Sequence, residues 1–168
     1  MHQDELRTLL TEFTAERLAL LQRHEAGARV VSHYDFNNTY QYVISREETH
    51  VSWLQAALAE FGLALPQPAA ALPIPSVPSR GKTVDVAAYR GVLEDDAQGL
   101  GRFVEKWRAR VKTMTHARHR TMLDVVLGES LEHQRLFTQA AAGFEDVLGR
   151  RTGGVARVGA VLPTRWLE

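Results

Sequence analysis

The sequence predicts an all-α fold: a four-helix bundle with a long crossover between its second and third helices. Three observations carry this. Apolar residues recur at three- and four-residue spacing in four separate stretches, with few strand signals between them. Residues 62–83 break the pattern, because Pro66, Pro68, Pro73, Pro75 and Pro78 forbid a continuous helix there. Finally, an acid–histidine pair interrupts an apolar stripe in each half of the chain, Glu47/His50 before the break and Glu129/His133 after it. Carboxylate and imidazole are poor core residues unless something pairs with them.

The first helix is expected from about Asp4 to Ala26. Its stripe is Leu6, Leu9, Leu10, Phe13, Leu20 and Leu21, with Asp4 as N-cap, Gly27 as the stop, and Glu16 as the one acid on the stripe. The second helix starts near Ser32, where Ser32-His33-Tyr34-Asp35 resembles a capping box. It carries Phe36, Tyr40, Val43, Glu47, His50 or Val51, Leu54, Leu58 and Phe61, and Gly62 ends it. Glu47 and His50 are one turn apart and share a face. The third helix begins near Thr83 or Asp85 with Tyr89, Leu93, Asp96, Leu100, Phe103, Trp107 and Val111 on its stripe. Asp96 stands where the pattern asks for an apolar residue. A turn near Thr113–Thr115 lacks Gly and Pro. The fourth helix then carries Met122, Val125, Val126, Glu129, His133, Leu136 and Ala140, ending before Gly143 or continuing to Gly149. The bundle therefore occupies residues 1–149, and residues 150–168 form an extended tail.

Composition narrows the function classes. The chain has 168 residues, enough for one domain with a full core. Its formal net charge is zero, so no electrostatic argument favours nucleic acid or an anionic membrane. It has no cysteine, which removes disulfides, iron–sulfur ligation and a cysteine nucleophile. The polar N-terminus is unlike a signal peptide, and no apolar run approaches the ~20 residues of a membrane span. The expected setting is cytoplasmic.

Topology follows from loop length. Short loops make the first helix antiparallel to the second and the third antiparallel to the fourth. A helix of about 29 residues spans roughly 43 Å. The segment 62–83 reaches roughly 68 Å as polyproline II, enough to return along the bundle and make the second and third helices parallel. Glu16, Glu47, Asp96 and Glu129 would then lie near mid-bundle with His50 and His133 beside them. Four carboxylates and two imidazoles are the ligand set of a dinuclear carboxylate site, suited to two iron ions or to manganese.

These features resemble the ferritin-like superfamily, which holds bacterioferritin, rubrerythrin and related di-iron carboxylate proteins. The resemblance covers residues 4–148. Its best match is Glu47-x-x-His50 with Glu16 about one helix upstream. The second half departs from the pattern. Ser130, not a glutamate, stands three residues before His133, so Glu129 is the substitute, with Glu132 as a competitor if the helix is rotated. Asp96 replaces the upstream glutamate. The resemblance implies ferrous oxidation or reduction of dioxygen or peroxide, a ferroxidase- or peroxidase-type activity. Its partners would be metal ions and dioxygen or peroxide, without nucleic acid or membrane, in a homo-oligomer (dimer or larger). The second metal position should be the weaker. The competing reading is a metal-free structural or interaction domain with buried acid–histidine hydrogen bonds. His24 can reach the stripe as an extra ligand but is expected in a surface or partly buried role, His116 and His119 as solvated turn residues, and the Arg108, Arg110, Lys112, Arg118, Arg120 cluster as a wet helix end.

Overall fold

The computed structural model describes residues 3–77 and 86–149. The described residues form four long helices and no strand: α1 Gln3–Val30, α2 Tyr34–Ala59, α3 Arg90–Lys112 and α4 Ala117–Ala141, with a 3-10 turn Val86–Tyr89 leading into α3. The expected start of the third helix at Thr83 or Asp85, Pro78, and the tail 150–168 lie outside the described residues. No helix among them is long and apolar enough to cross a membrane.

The stripes close into one core. Leu10, Phe13, Phe36, Tyr40, Leu54, Leu58, Leu93, Leu100, Trp107 and Phe137 are buried together. Each large apolar side chain so buried contributes roughly 1.5–3 kcal/mol. Phe13 stands at the centre, its ring 5.0 Å from Phe103 and 5.1 Å from Trp107. A change such as Phe13→Asp would place an unpaired charge there and break the packing of α1 on α3.

Helix ends follow local chemistry, with three corrections, the first being that Asp4, expected as N-cap, lies inside the first turn of α1. Gly62 and Gly143, both at positive φ, close α2 and α4. In each, the next residue's N–H reaches back five positions, Leu63 to Leu58 O and Phe144 to Gln139 O, the glycine-dependent stop of a helix. Gly27 does not end α1; it lies within the helix, buried. A Cβ there would meet the Tyr40 ring at 2.7 Å, so glycine is required for that ring to lie against α1. Ser32 does not cap α2, whose N-cap is His33 without a side-chain cap bond. The Ser32 hydroxyl instead pairs with Tyr89 OH at 2.6 Å, joining the α1–α2 turn to the start of α3. Asn37 donates to Ala28 O and Val31 O, covering carbonyls that the end of α1 leaves unmatched. The α3–α4 turn, without Gly or Pro, is held by buried Met114, whose carbonyl accepts from Arg120.

Residue pairings give the helix directions. Along α1, Glu12, Glu16 and Arg23 meet Arg110, Lys106 and Asp95 of α3 in descending order, so α1 and α3 are antiparallel. Along α2, Arg46 and Glu60 meet Glu129 and Arg118 of α4, again in descending order. After α2 the chain runs against α1, where the Ala69 N–H donates to Ala15 O at 2.8 Å. Ile74 and Val77 further along pack on the core.

Candidate functional site

Polar interruptions of the stripes gather at mid-bundle in two hydrogen-bonded groups, a buried one around Glu47 and a partly exposed one around Glu129. α2 supplies Glu47, fully buried, from the face that also carries Tyr40, Val43 and His50. The residue facing Glu47 from α1 is Arg17, also fully buried, which donates through Nη2 to Glu47 Oε1 and through Nη1 to Ser130 Oγ of α4 at 2.9 Å. The guanidinium also lies over the Phe103 ring, 5.0 Å from its centroid. His24, about two turns further along α1, donates from Nδ1 to the other Glu47 oxygen at 2.8 Å. Glu47 thus has one cation and one imidazole on its two oxygens.

Asp96 of α3 continues the network. It accepts from the Tyr40 hydroxyl, lies 3.3 Å from Arg23 Nη2, and its Oδ1 stands 3.8 Å from His24 Nε2. The same Arg23 nitrogen donates to Asp95 at 3.2 Å. Toward α4, His50 donates from Nε2 to Glu129 at 2.9 Å, and Arg46 engages both Glu129 oxygens through Nε and Nη2. His133 completes the group, its ring stacked 6.2 Å from that of His50.

The electrostatics follow from burial and pairing. Burial alone would raise the Glu47 carboxyl, but the adjacent Arg17 guanidinium and His24 outweigh it and hold the group down at about 2. Burial lowers His133 to about 4, Arg17 adding to the effect while Glu47 opposes it. His50 is lowered by burial and then by Arg17, against the pull of Glu129. Both imidazoles are therefore neutral near pH 7. Burial raises Asp96, against His24 and Arg23, and burial followed by Asp96 raises Tyr40, which stays a neutral donor.

Of the six residues expected as ligands, Glu47 and Asp96 lie on either side of His24, while His50 bonds Glu129 and stacks on His133. Glu16 joins neither group. It faces the α3 side, accepting from Lys106 Nζ and from Trp107 Nε1 at 2.9 Å. The interior position on α1 belongs to Arg17, one residue on. Glu132, the alternative to Glu129, is exposed and paired with Arg135 one turn away. His24 is a fully buried network member rather than a surface residue. His119 is likewise buried, its Nδ1 2.8 Å from His116 Nδ1 and its Nε2 3.4 Å from Glu60, so only His116 is the solvated turn residue expected. In the basic cluster, Arg110 stacks on Trp107 and pairs with Glu12, and Arg118 pairs with Glu60.

Arg17 was legible in part. Positions 6, 10, 13, 17, 20, 24 and 27 follow the alternating four- and three-residue step of one helix face. Arginine's usual place is at the surface with its head in water, which directs a reading of α1 to Glu16 instead.

The donor set in this arrangement does not fit a pair of metal ions. Each of the four expected carboxylates has a cationic side chain: Arg17 on Glu47, Arg23 on Asp96, Arg46 on Glu129 and Lys106 on Glu16. Among the described residues, the imidazole and carboxylate atoms of the mid-bundle group do not close as a triplet within 4.8 Å; those of His33, Asp35 and Glu145, at one end of the bundle, do. Comparison with known proteins adds no relative: no family model, curated protein or solved structure matches this chain.

Proposed function

We propose that this chain is a metal-independent helical bundle of ferritin-like connectivity, acting as a structural or interaction module rather than as an oxidoreductase. The antiparallel relation of α1 to both α2 and α3 supports a crossover that carries the chain back along the bundle, the connectivity the sequence resemblance implies. Within that frame the interior positive charge comes from arginine.

The observation that carries this reading is Arg17. It is fully buried, and it bonds Glu47 on one side and Ser130 on the other. Both partners bear on the comparison with the di-iron pattern. Ser130 occupies the place where that pattern has a glutamate, and Arg17 takes the interior position on α1 expected for Glu16. The two departures touch each other at 2.9 Å. A guanidinium is always charged near neutral pH and is large, planar and multiply donating. Seated against Glu47, it satisfies the carboxylate that would otherwise be the centre of a metal site.

One observation favours the metal-dependent alternative. His50 Nδ1 and His133 Nδ1 are buried without a hydrogen-bond partner, on rings 6.2 Å apart. Metal analysis decides between the two. Protein purified from iron-supplemented cells should carry iron and manganese well below one ion per chain, and a chelator should leave its unfolding midpoint unchanged. Two ions per chain, lost on Glu47→Ala, together with ferrous-dependent oxygen consumption that His50→Ala abolishes, would establish the dinuclear reading instead.

A further inference from the structure

A cleft of about 330 Å³ opens on the far side of α1 from the buried network, between α1, α3 and the crossover. Its floor is Leu20 and Phe103, and its outer wall is Ala69 and Leu72 of the crossover. The Ala69–Ala15 backbone bond pins that wall to α1. Gly99 keeps the cleft open on the α3 side. A Cβ there would sit in ordinary van der Waals contact with Leu20 Cδ2 at 3.7 Å and Arg102 Nη2 at 3.9 Å, so the glycine lies between the apolar floor and the guanidinium. Leu72 remains 40% exposed at the edge, apolar area that an occupant would cover.

Three charges rim the cleft: Glu16, Lys106 and Arg102. Both Glu16 oxygens are engaged, one by Lys106 and the other by Trp107 Nε1, so this pair cancels. Arg102 makes no hydrogen bond or ion pair among the described residues. The rim is therefore left with one unpaired guanidinium above an apolar floor. We infer that this cleft binds a small amphipathic carboxylate, its chain on Leu20 and Phe103 and its head on Arg102. A planar guanidinium fork matches a carboxylate in two parallel hydrogen bonds. A mostly apolar pocket with one or two placed polar groups is the ordinary form of a small-molecule site. At roughly 30 Å³ per molecule of liquid water, the cleft has the volume of about eleven waters. The inference does not depend on the metal question, because Arg102, Gly99 and the crossover wall make no contact with Glu47, even though the Phe103 ring also lies under the Arg17 guanidinium.

The probe is octanoate, with octylammonium as the charge-reversed control, titrated calorimetrically into the full chain. Octanoate should bind saturably in the millimolar range or tighter, and octylammonium more weakly. Arg102→Gln should weaken octanoate about three- to fivefold, the scale of a solvent-exposed ion pair. Gly99→Leu should abolish binding by filling the cleft, while helix content holds, since leucine is the better helix former. Circular dichroism and the thermal midpoint of each variant separate lost binding from lost folding. Should Gly99→Leu fail to fold, the octanoate–octylammonium comparison on the parent chain and Arg102→Gln decide. Absence of saturable octanoate binding, equal binding of the two probes, or octanoate binding untouched by Arg102→Gln would overturn the inference.

Discussion

Glu47 and Glu129 carry the same partners at two depths. Each accepts from one arginine and one histidine: Glu47 from Arg17 and His24, Glu129 from Arg46 and His50. Glu47 and Arg17 have no exposure at all, whereas the Glu129 and Arg46 side chains keep 29% and 36%. The chemistry is alike and the energetics should not be. A charge at the surface that loses its partner is solvated by water; a buried one has nothing to replace it. The inner pair therefore constrains which residues the bundle tolerates, and the outer pair mostly adjusts a helix surface.

The largest expected effect is loss of one inner partner. Arg17→Ala leaves Glu47 buried and without its cation, and should destabilise the bundle by about 3–5 kcal/mol. Chemical denaturation measures this directly. A cost below about 1 kcal/mol, the exposed-pair scale, would erase the distinction between the two depths. Replacing both members together, Arg17→Met with Glu47→Leu, should recover most of the loss, since an apolar pair of similar volume often matches a buried ion pair. If the double variant is as unstable as Arg17→Ala, the network rather than the charge balance holds this layer.

Acid should sharpen the comparison next. His133 has its folded value depressed from 6.5 to about 4, so between those values the unfolded chain binds a proton that the folded one refuses. Stability falls as pH drops through this window, by on the order of 3 kcal/mol at most. His50, lowered in the same direction, adds to the loss. Glu47, depressed from 4.5 to about 2, contributes stability that is present above 4.5 and is lost as pH falls toward 2. Asp96 is raised and opposes this trend, since its burial costs stability once the group ionises. A denaturation series from pH 7.5 to 3 should thus decline first in the histidine window, and His133→Phe should flatten that part. An unchanged profile in the variant would remove His133 as its source.

The smallest effect belongs to the outer pair. Arg46→Ala should cost no more than about 1 kcal/mol, and less at high salt. A cost equal to that of Arg17→Ala would mean that Glu129 behaves as a buried group despite its exposure.

The helix count, the stripes on α2 and α3, the glycine stop of α2 and the place of the α3–α4 turn were all readable in the sequence. These depend on nearest-neighbour chemistry: a 3.6-residue period, a glycine that accepts positive φ, and prolines that forbid a helix. Glu47, His50, Asp96, Glu129 and His133 were readable as polar residues on apolar stripes, because each breaks a helical period. The α1 position was not. Glu16 and Arg17 both lie within one turn of Phe13, and one residue along a helix turns a side chain by about 100°. Which of them enters the core depends on what the other helices present there. Arg17 meets Glu47, 30 positions on, and Ser130, 113 positions on. His24 and His119 entered the interior for the same reason, each finding a carboxylate within 3.4 Å on α2 or at its end. Sequence alone determined which faces are buried; tertiary contact decided which charges could follow them inside, because a buried charge is stable only beside a partner that packing brings from elsewhere in the chain.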